Sequence, residues 1–111
     1  MQYRSLGRTG IDISAVAYGG IVSAGIYDGS HYPALDQASS DRFVAYAIER
    51  GVNYFDVAPS YGNAQLQLGN SLRPYRALVP ERLHVLVSDG RNGDILITSS
   101  LPLRSNVYVN V

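Results

Sequence analysis

Cysteine does not occur among the 111 residues of the chain, and this absence excludes disulfide bonds and thiolate metal sites. Two histidines, His31 and His84, are the only imidazole ligands, and they do not form a cluster with metal-ligand spacing. The sequence therefore predicts no metal centre.

Lysine is also absent, because all nine basic residues are arginines. Nine acidic residues balance them, so the formal net charge is zero. We therefore expect no strong attraction to nucleic acid or to an acidic membrane. A mechanism that needs a lysine ammonium group would have to use another cation here, and arginine differs from lysine in size, shape and pKa.

Long apolar runs are missing as well. No stretch is long enough to span a bilayer, and the N-terminal segment MQYRSLGRTG lacks the apolar core of a signal peptide. These features predict a cytoplasmic protein that does not associate with membranes. The length suits one small domain with a modest hydrophobic core.

The N-terminal segment predicts a β-hairpin followed by a short strand. Met1–Ser14 has alternating apolar and polar residues after a Gly7–Gly10 turn, which is typical of a hairpin. Ala15–Tyr18 is a short apolar strand that Gly19 and Gly20 end. The two glycines form either a plain turn or a place where the backbone approaches another group closely.

Two helices are predicted after this strand. Asp41–Arg50 has apolar residues at helical spacing and is expected to be capped by Ser39 or Ser40. Ala64–Leu72 is the second helix, with Asn63 as its N-cap. A strand lies between the helices, so the order is strand, helix, strand, helix. This order makes two βα units and predicts a parallel α/β sheet.

The strand between the helices carries the most informative residues. It follows Gly51, which can adopt the left-handed conformation that ends a helix, and it runs over Val52–Val57. Asp56 lies near its C-terminal end, and Tyr61 follows in the next turn. Such strand ends carry the chemistry of parallel α/β folds. Taken alone, the two residues favour a structural interpretation, in which Asp56 caps the turn and Tyr61 packs at the rim.

Two further segments are less regular. Ile21–Ser39 predicts a long loop, in which Tyr27, His31 and Tyr32 could either line a substrate mouth or anchor the loop. The C-terminal part is rich in residue runs that are typical of β-strands. Its predicted elements are strands at Leu83–Val87 and Asp94–Thr98, a hairpin turn at Asp89–Gly93, and an edge strand within Leu101–Val111.

The string FDVAPSYG, with a Leu-Gly pair downstream, resembles the aldo-keto reductase signature Asp-x-Ala-x-x-Tyr-Gly. The opening YRSLGRTGIDIS and the Gly-Gly pair after it resemble the start of that family. The resemblance covers residues 1–76 and implies the N-terminal part of a (β/α)8 TIM barrel with a leading β-hairpin. Residues 77–111 do not match and form a β-rich tail.

The resemblance implies hydride transfer between NADP or NAD and a small-molecule carbonyl substrate. Asp56 and Tyr61 would be catalytic, and Gly20, Ile21 and Asp56 would contact the cofactor. In the family, tyrosine donates a proton, a lysine held by the aspartate lowers the tyrosine pKa, and a histidine orients the carbonyl.

Several positions depart from the family pattern. Ser88 falls where the lysine belongs, at the end of the third barrel strand, although Arg91 could place a positive charge nearby. His84 lies inside a strand and does not match the family histidine. Gln65 replaces the glutamate that commonly follows the Tyr-Gly pair. The family's cofactor phosphate loops would fall outside the matched segment.

These departures predict an inactive fragment of an NAD(P)H-dependent reductase, truncated or frame-shifted, whose open sheet edges could pair with other copies. The alternative is a non-catalytic small α/β module for binding or interaction, in which the tail hairpin covers the open sheet edge.

Overall fold

A computed structural model describes residues 1–24, 26–27, 30–31, 35–78, 82–88 and 95–98. The described part contains eight strands, two α-helices and two 3-10 helices. The strands are β1 (Tyr3–Ser5), β2 (Asp12–Ser14), β3 (Tyr18–Gly19), β4 (Ile26–Tyr27), β5 (Ser30–His31), β6 (Tyr54–Val57), β7 (His84–Ser88) and β8 (Ile95–Thr98). The helices are α1 (Gln37–Glu49), α2 (Ala64–Leu72) and the 3-10 helices Gly20–Ala24 and Arg73–Leu78.

The predicted N-terminal hairpin is confirmed, since β1 and β2 pair antiparallel. Asn53 attaches this hairpin to the segment that precedes β6. The Ser14 backbone N–H donates to Asn53 Oδ1 at 2.7 Å, and Asn53 Nδ2 donates to the Asp12 carbonyl at 2.9 Å. The hairpin is therefore held against the start of β6 by one amide side chain.

The parallel α/β sheet is also confirmed. Its strand order is β3-β6-β7-β8, with β3, β6 and β7 parallel. Two predicted strands are shorter than expected. The prediction of Ala15–Tyr18 is wrong in its bounds because the Ala15 N–H donates to the Gln2 carbonyl, so the chain there still belongs to the hairpin. The strand predicted from Val52 begins at Tyr54 because the Val52 N–H donates back to the Ala47 carbonyl of α1.

Helix α1 begins four residues earlier than its predicted start, at Gln37 instead of Asp41. The prediction of Ser39 or Ser40 as the cap is wrong, because Asp36 is the N-cap and its carboxylate accepts from the Ser39 N–H at 2.6 Å. This hydrogen bond also lowers the pKa of Asp36. The predicted loop over Ile21–Ser39 is accordingly shorter and contains a 3-10 helix and the β4–β5 pair.

Helix α2 has its predicted bounds, and Asn63 occupies the N-cap position without making a side-chain cap hydrogen bond. Gly51, after α1, has a φ of +85°, which confirms its left-handed conformation. No helix in the described segments is long and apolar enough to cross a membrane.

In the described part of the tail, β7 and β8 lie within one residue of the predicted strands Leu83–Val87 and Asp94–Thr98. β7 continues the parallel sheet beside β6, and β8 turns back antiparallel to β7, as expected for a hairpin. The predicted edge strand in residues 101–111, the turn at residues 89–93 with Arg91, and Tyr32 lie outside the described residues. The division into segments 1–76 and 77–111 stays a prediction.

The hydrophobic core lies between one face of the sheet and the two α-helices. Its buried members come from strands β3, β6 and β7, from both helices, and from the residues just before β6 and β7. They are Tyr18, Val44, Val52, Phe55, Val57, Ala64, Leu68, Leu72, Leu83, Val85 and Val87.

Candidate functional site

Strand β6 divides its side chains between two environments. Phe55 and Val57 are 0% and 1% exposed and belong to the core. Tyr54 and Asp56 are half-buried and, because side chains alternate along a strand, lie on the opposite face. The structure therefore puts the Asp56 carboxylate on the sheet face that the α-helices do not cover.

The environment of Asp56 favours its protonated form. Burial raises the pKa of the Asp56 carboxyl above its ordinary value. Burial also raises the pKa of Tyr54, and the nearby Asp56 carboxylate adds to that increase. Within the described segments, no hydrogen bond to the Asp56 side chain is found. A carboxylate in this setting is a candidate binding or proton-exchange group.

The glycine pair lies directly beside Asp56. In the parallel register, Gly19 is opposite Asp56. A Cβ atom added to Gly20 would lie 2.6 Å from the Asp56 carbonyl oxygen, whereas one added to Gly19 would have nothing within 4 Å. Gly20 is thus required by close packing against β6, and the open space is at Gly19. This packing needs no ligand to explain it.

The segment after β3 is fixed by a buried hydrogen bond. Gly20 begins a 3-10 helix in which Ile21 is half-buried. The hydroxyls of Tyr18 and Ser23, which are 4% and 1% exposed, lie 2.6 Å apart. The structure therefore brings Gly20 and Ile21 to the same edge of the sheet as Asp56 and holds them there.

Tyr61 follows β6 in a tight turn. Its backbone N–H donates to the Ala58 carbonyl at 3.0 Å, and its carbonyl accepts from the Ala64 N–H at 2.9 Å. Its ring is half-buried and packs against the hydrophobic core. Tyr61 thus lies just past the strand end that carries Asp56, and the packing of its ring fits the structural interpretation as well as the catalytic one.

His84 joins Tyr54 and Asp56 on the second face of the sheet, because Tyr54 and His84 are register partners. It is 6% exposed, and its Nδ1 atom is buried and has no hydrogen-bond partner among the residues that the structure describes. Burial lowers its pKa. The sequence motif does not include Tyr54 or His84. The alternation of side chains along Tyr54–Val57 is the signal that groups Tyr54 with Asp56.

The remaining predicted positions lie in strands β4, β5 and β7. Ser88 is the last residue of β7, the third parallel strand, which is the place expected for it. Tyr27 and His31 lie in the short β4–β5 pair. No cluster of three or more potential metal ligands occurs in the part of the chain that the structure describes.

A dinucleotide cofactor needs a surface for its nicotinamide ring and donors for its phosphates, which can be arginine side chains or backbone N–H groups at a helix N-terminus. The open space at Gly19 and the adjacent Asp56 fit the first need. Neither segment that directly follows β3 or β6, residues 20–24 and 58–63, contains an arginine. The described residues therefore offer open space beside Asp56, and these two segments offer no arginine for the phosphates.

Comparison with known proteins identifies relatives of the chain. Pyridoxal 4-dehydrogenase of Microbacterium luteolum is 32% identical over 97 residues, covering 84% of this chain and 27% of the relative. A protein assigned as a voltage-gated potassium channel subunit beta, from Oryza sativa subsp. japonica, is 37% identical over 75 residues, covering 66% of this chain and 21% of the relative. Both are aldo-keto reductase family proteins. No protein-family model matches the chain.

Two solved structures from Pseudomonas aeruginosa, each assigned as an aldo-keto reductase, have a similar fold. One has a TM-score of 0.64 at 30% identity and the other 0.63 at 26% identity. Each match covers 86% of this chain, and it covers 36% and 34% of the respective structures.

This chain is a relative of the aldo-keto reductases. The resemblance seen in the sequence is confirmed, and the fold is that of part of an aldo-keto reductase barrel. The chain spans about a quarter of the length of the curated relatives it matches. The 97-residue match is longer than the segment of residues 1–76, so the similarity extends into the β-rich tail.

Proposed function

We propose that this chain forms the nicotinamide-facing part of an aldo-keto reductase-type site and that the chain by itself does not catalyse carbonyl reduction. One observation carries the proposal: the half-buried Asp56 carboxylate lies opposite Gly19 and near the end of the strand that leads into the Tyr61 turn. This is the part of a parallel α/β fold where ligands bind.

In the reaction of this family, a bound reduced nicotinamide supplies a hydride to the carbonyl carbon of a small-molecule substrate. The residues of this chain would position the reactants and move the proton. Gly19 leaves room beside β6, and Gly20 and Ile21 form the adjoining wall. The Tyr61 phenol would donate its proton to the carbonyl oxygen, and Asp56 would act beside it as a hydrogen-bonding group.

The lack of lysine limits this chemistry. A tyrosine with an ordinary pKa near 10 is a poor proton donor and acceptor at neutral pH unless a nearby cation lowers that pKa. The chain contains no lysine, and β7 ends at Ser88. The proton transfer would therefore be slow even if both reactants were bound.

The charge distribution predicts which cofactor fragments bind. Because residues 20–24 and 58–63 carry no arginine, the pyrophosphate of a dinucleotide and the 2′-phosphate of NADPH gain no ion pair there. We expect NADPH and NADH to bind this chain no better than reduced nicotinamide mononucleotide does.

This expectation is tested by titrating the purified chain into each of these nucleotides while following nicotinamide fluorescence, with a thermal melt of the same sample. We expect a cooperative melt. The dissociation constants of the three nucleotides should agree within about tenfold, so their binding free energies should differ by less than about 1.4 kcal/mol. NADPH should not be oxidised when benzaldehyde is added. Asp56→Asn should alter the binding, whereas neutralising an exposed carboxylate on α1 by Glu49→Gln should not.

Two results would contradict the proposal. Much tighter binding of NADPH than of the mononucleotide would require a phosphate site within this chain. Turnover of benzaldehyde that depends on Tyr61 would show that the chain is itself a working reductase.

The alternative function is a non-catalytic binding or interaction module. The packing of the Tyr61 ring against the core favours it, because that contact gives Tyr61 a structural role without any reaction. A cooperative melt without nucleotide binding would support this alternative over the nicotinamide site.

A further inference from the structure

Asn53 connects three elements of the fold through all of its polar groups. Its Oδ1 atom accepts from the Ser14 N–H at 2.7 Å, and its Nδ2 atom donates to the Asp12 carbonyl at 2.9 Å. Its backbone N–H donates to the Ser14 hydroxyl at 3.2 Å, and its carbonyl accepts from the His84 N–H at 2.7 Å. We call these four hydrogen bonds the Asn53 junction. The junction joins the N-terminal hairpin, the segment before β6 and the start of β7.

His84 is the member of the junction whose charge can change near neutral pH. Its ring is 6% exposed, and its Nδ1 atom is buried without a hydrogen-bond partner in the described segments. A protonated ring carries an N–H donor at Nδ1, and that donor would find no acceptor in this position. Because a buried and unpaired charge is costly, a protonated ring gains free energy by moving into water.

The groups around His84 do not offset this cost. Burial lowers the pKa of the His84 imidazole, which means that attraction from neighbouring carboxylates does not outweigh it. The Asp12 carboxylate accepts from the Ser5 hydroxyl at 2.6 Å within the hairpin. Strand β8, on the other side of β7, contains no titratable residue. The titratable side chains on the other adjoining elements are Arg4 and Asp12 of the hairpin, Tyr54 and Asp56 of β6, and Arg82 before β7.

We propose that acidification opens the Asn53 junction. In the open form the His84 ring is in water, the start of β7 is separated from the Asn53 carbonyl, and the hairpin has lost its attachment to the Asn53 side chain. The two α-helices remain packed, because their polar contacts, such as the Ser71 hydroxyl to Asp41 at 2.7 Å, do not involve the junction. The fold thus contains a pH-sensitive device at the starts of its parallel strands. The inference does not depend on nucleotide binding at the opposite strand ends.

The direction and size of the effect follow from the linkage between protonation and opening. In the open form His84 titrates with its ordinary pKa of about 6.5, whereas burial lowers that pKa in the closed form. Opening is therefore independent of pH well above 6.5 and becomes more favourable as the pH falls below 6.5. One proton is taken up on opening, so we expect the opening equilibrium constant to rise by up to about tenfold between about pH 7.5 and 5.5.

The proposal is tested by hydrogen exchange of the full chain, followed by NMR at these two pH values. After correction for the pH dependence of intrinsic exchange, the protection of the Ser14 and His84 amides should fall by up to about tenfold on acidification. The Val44 and Leu68 amides, within α1 and α2, should be better protected than these at both pH values, as expected for local opening. Equal protection of all four amides would mean that only global unfolding occurs, and the proposal would be wrong.

Histidine variants separate charge from packing. His84→Phe keeps a ring at the site but cannot be protonated, so exchange at Ser14 should lose its pH dependence. His31→Phe is the matched control, because it removes the other histidine, which belongs to the separate β4–β5 pair. A pH response that persists in His84→Phe, or one that disappears in His31→Phe, would overturn the proposal.

Asn53→Ala tests whether the junction transmits the change to the hairpin. It removes both side-chain hydrogen bonds to the hairpin but keeps the carbonyl that accepts from His84. The Ser14 amide should then be weakly protected at both pH values, while the His84 amide still responds to pH. A Ser14 response equal to that of the original chain would show that the hairpin does not depend on Asn53. The two histidine variants decide the proposal if Asn53→Ala does not fold.

Discussion

The two faces of the sheet differ in kind although the same strands form them. On the face covered by the α-helices, Phe55, Val57 and Val85 are buried in a continuous apolar core. On the other face, Asp56 and His84 have pKa values shifted by burial towards their uncharged forms. The first face is closely packed with apolar side chains. The second face holds polar side chains whose partial burial disfavours their charged forms. The comparison suggests that the first face stabilises the fold, while the second is available for chemistry.

We call the helix-covered face the apolar face and the face with Asp56 and His84 the polar face. The polar face contains a group that lowers the free energy of unfolding. His84 Nδ1 is buried and has no partner in the described segments, and a polar atom in that situation typically lowers stability by about 1–3 kcal/mol. Natural sequences tend to keep such groups where they bind ligands or take part in reactions. The two faces should therefore respond very differently to substitution.

The largest expected effect is on the apolar face. Phe55 is fully buried, and its ring lies 5.6 Å from the Tyr18 ring. Phe55→Ala should lower the free energy of unfolding by about 3–5 kcal/mol, because it removes buried apolar surface and leaves a cavity. Urea denaturation followed by circular dichroism measures this loss.

The matched control is Tyr54→Phe, the neighbouring residue on the polar face. It removes one hydroxyl from a half-buried side chain, so we expect a change below about 1 kcal/mol. Similar losses for the two variants would contradict the proposed division between a packing face and a chemical face.

The glycine pair allows a sharper test at the strand edge. Gly20→Ala should destabilise the chain by about 1–3 kcal/mol, because its Cβ would lie 2.6 Å from the Asp56 carbonyl oxygen and β6 would have to shift. Gly19→Ala is the control, since its Cβ meets nothing within 4 Å. Equal thermal-melt shifts for both variants would show that β3 does not pack against β6 as closely as the structure indicates.

Local signals in the sequence predicted much of this fold. The hairpin, the parallel βα order and the bounds of α2 follow from alternation, helical spacing and the Gly51 stop signal. The start of α1 differs from the prediction because Asp36 caps it. Asp and Ser are equally good N-caps, so the local sequence does not choose between Asp36, Ser39 and Ser40.

The candidate site was predictable only in part. Asp56 and Tyr61 were identified by a motif that is local in sequence, and the structure puts them at the same strand end. Their relation to Gly20 and His84 depends on strand register, which joins residues about 30 positions apart and cannot be derived from a local pattern. The close packing of Gly20 on β6 is a result of that register.

The smallest expected effect is a pH dependence in which His84 and Asp56 act in opposite directions. Folding lowers the His84 pKa, so the unfolded chain binds its proton more readily, and stability falls as the pH drops below about 6.5. Folding raises the Asp56 pKa, so the folded chain binds that proton more readily, and stability recovers as the pH falls through the raised pKa towards 3.8.

Urea denaturation at several pH values between about 7 and 3, a range that spans both ordinary pKa values, separates these contributions. His84→Phe cannot titrate and keeps a ring in the same place, so it should lose less stability on acidification than the original chain does. Asp56→Asn removes the group that gains a proton on folding, so its loss on acidification should be greater than that of the original chain. If both variants shifted the pH dependence in the same direction, the two side chains could not have the opposite pKa changes that the polar face of the sheet imposes.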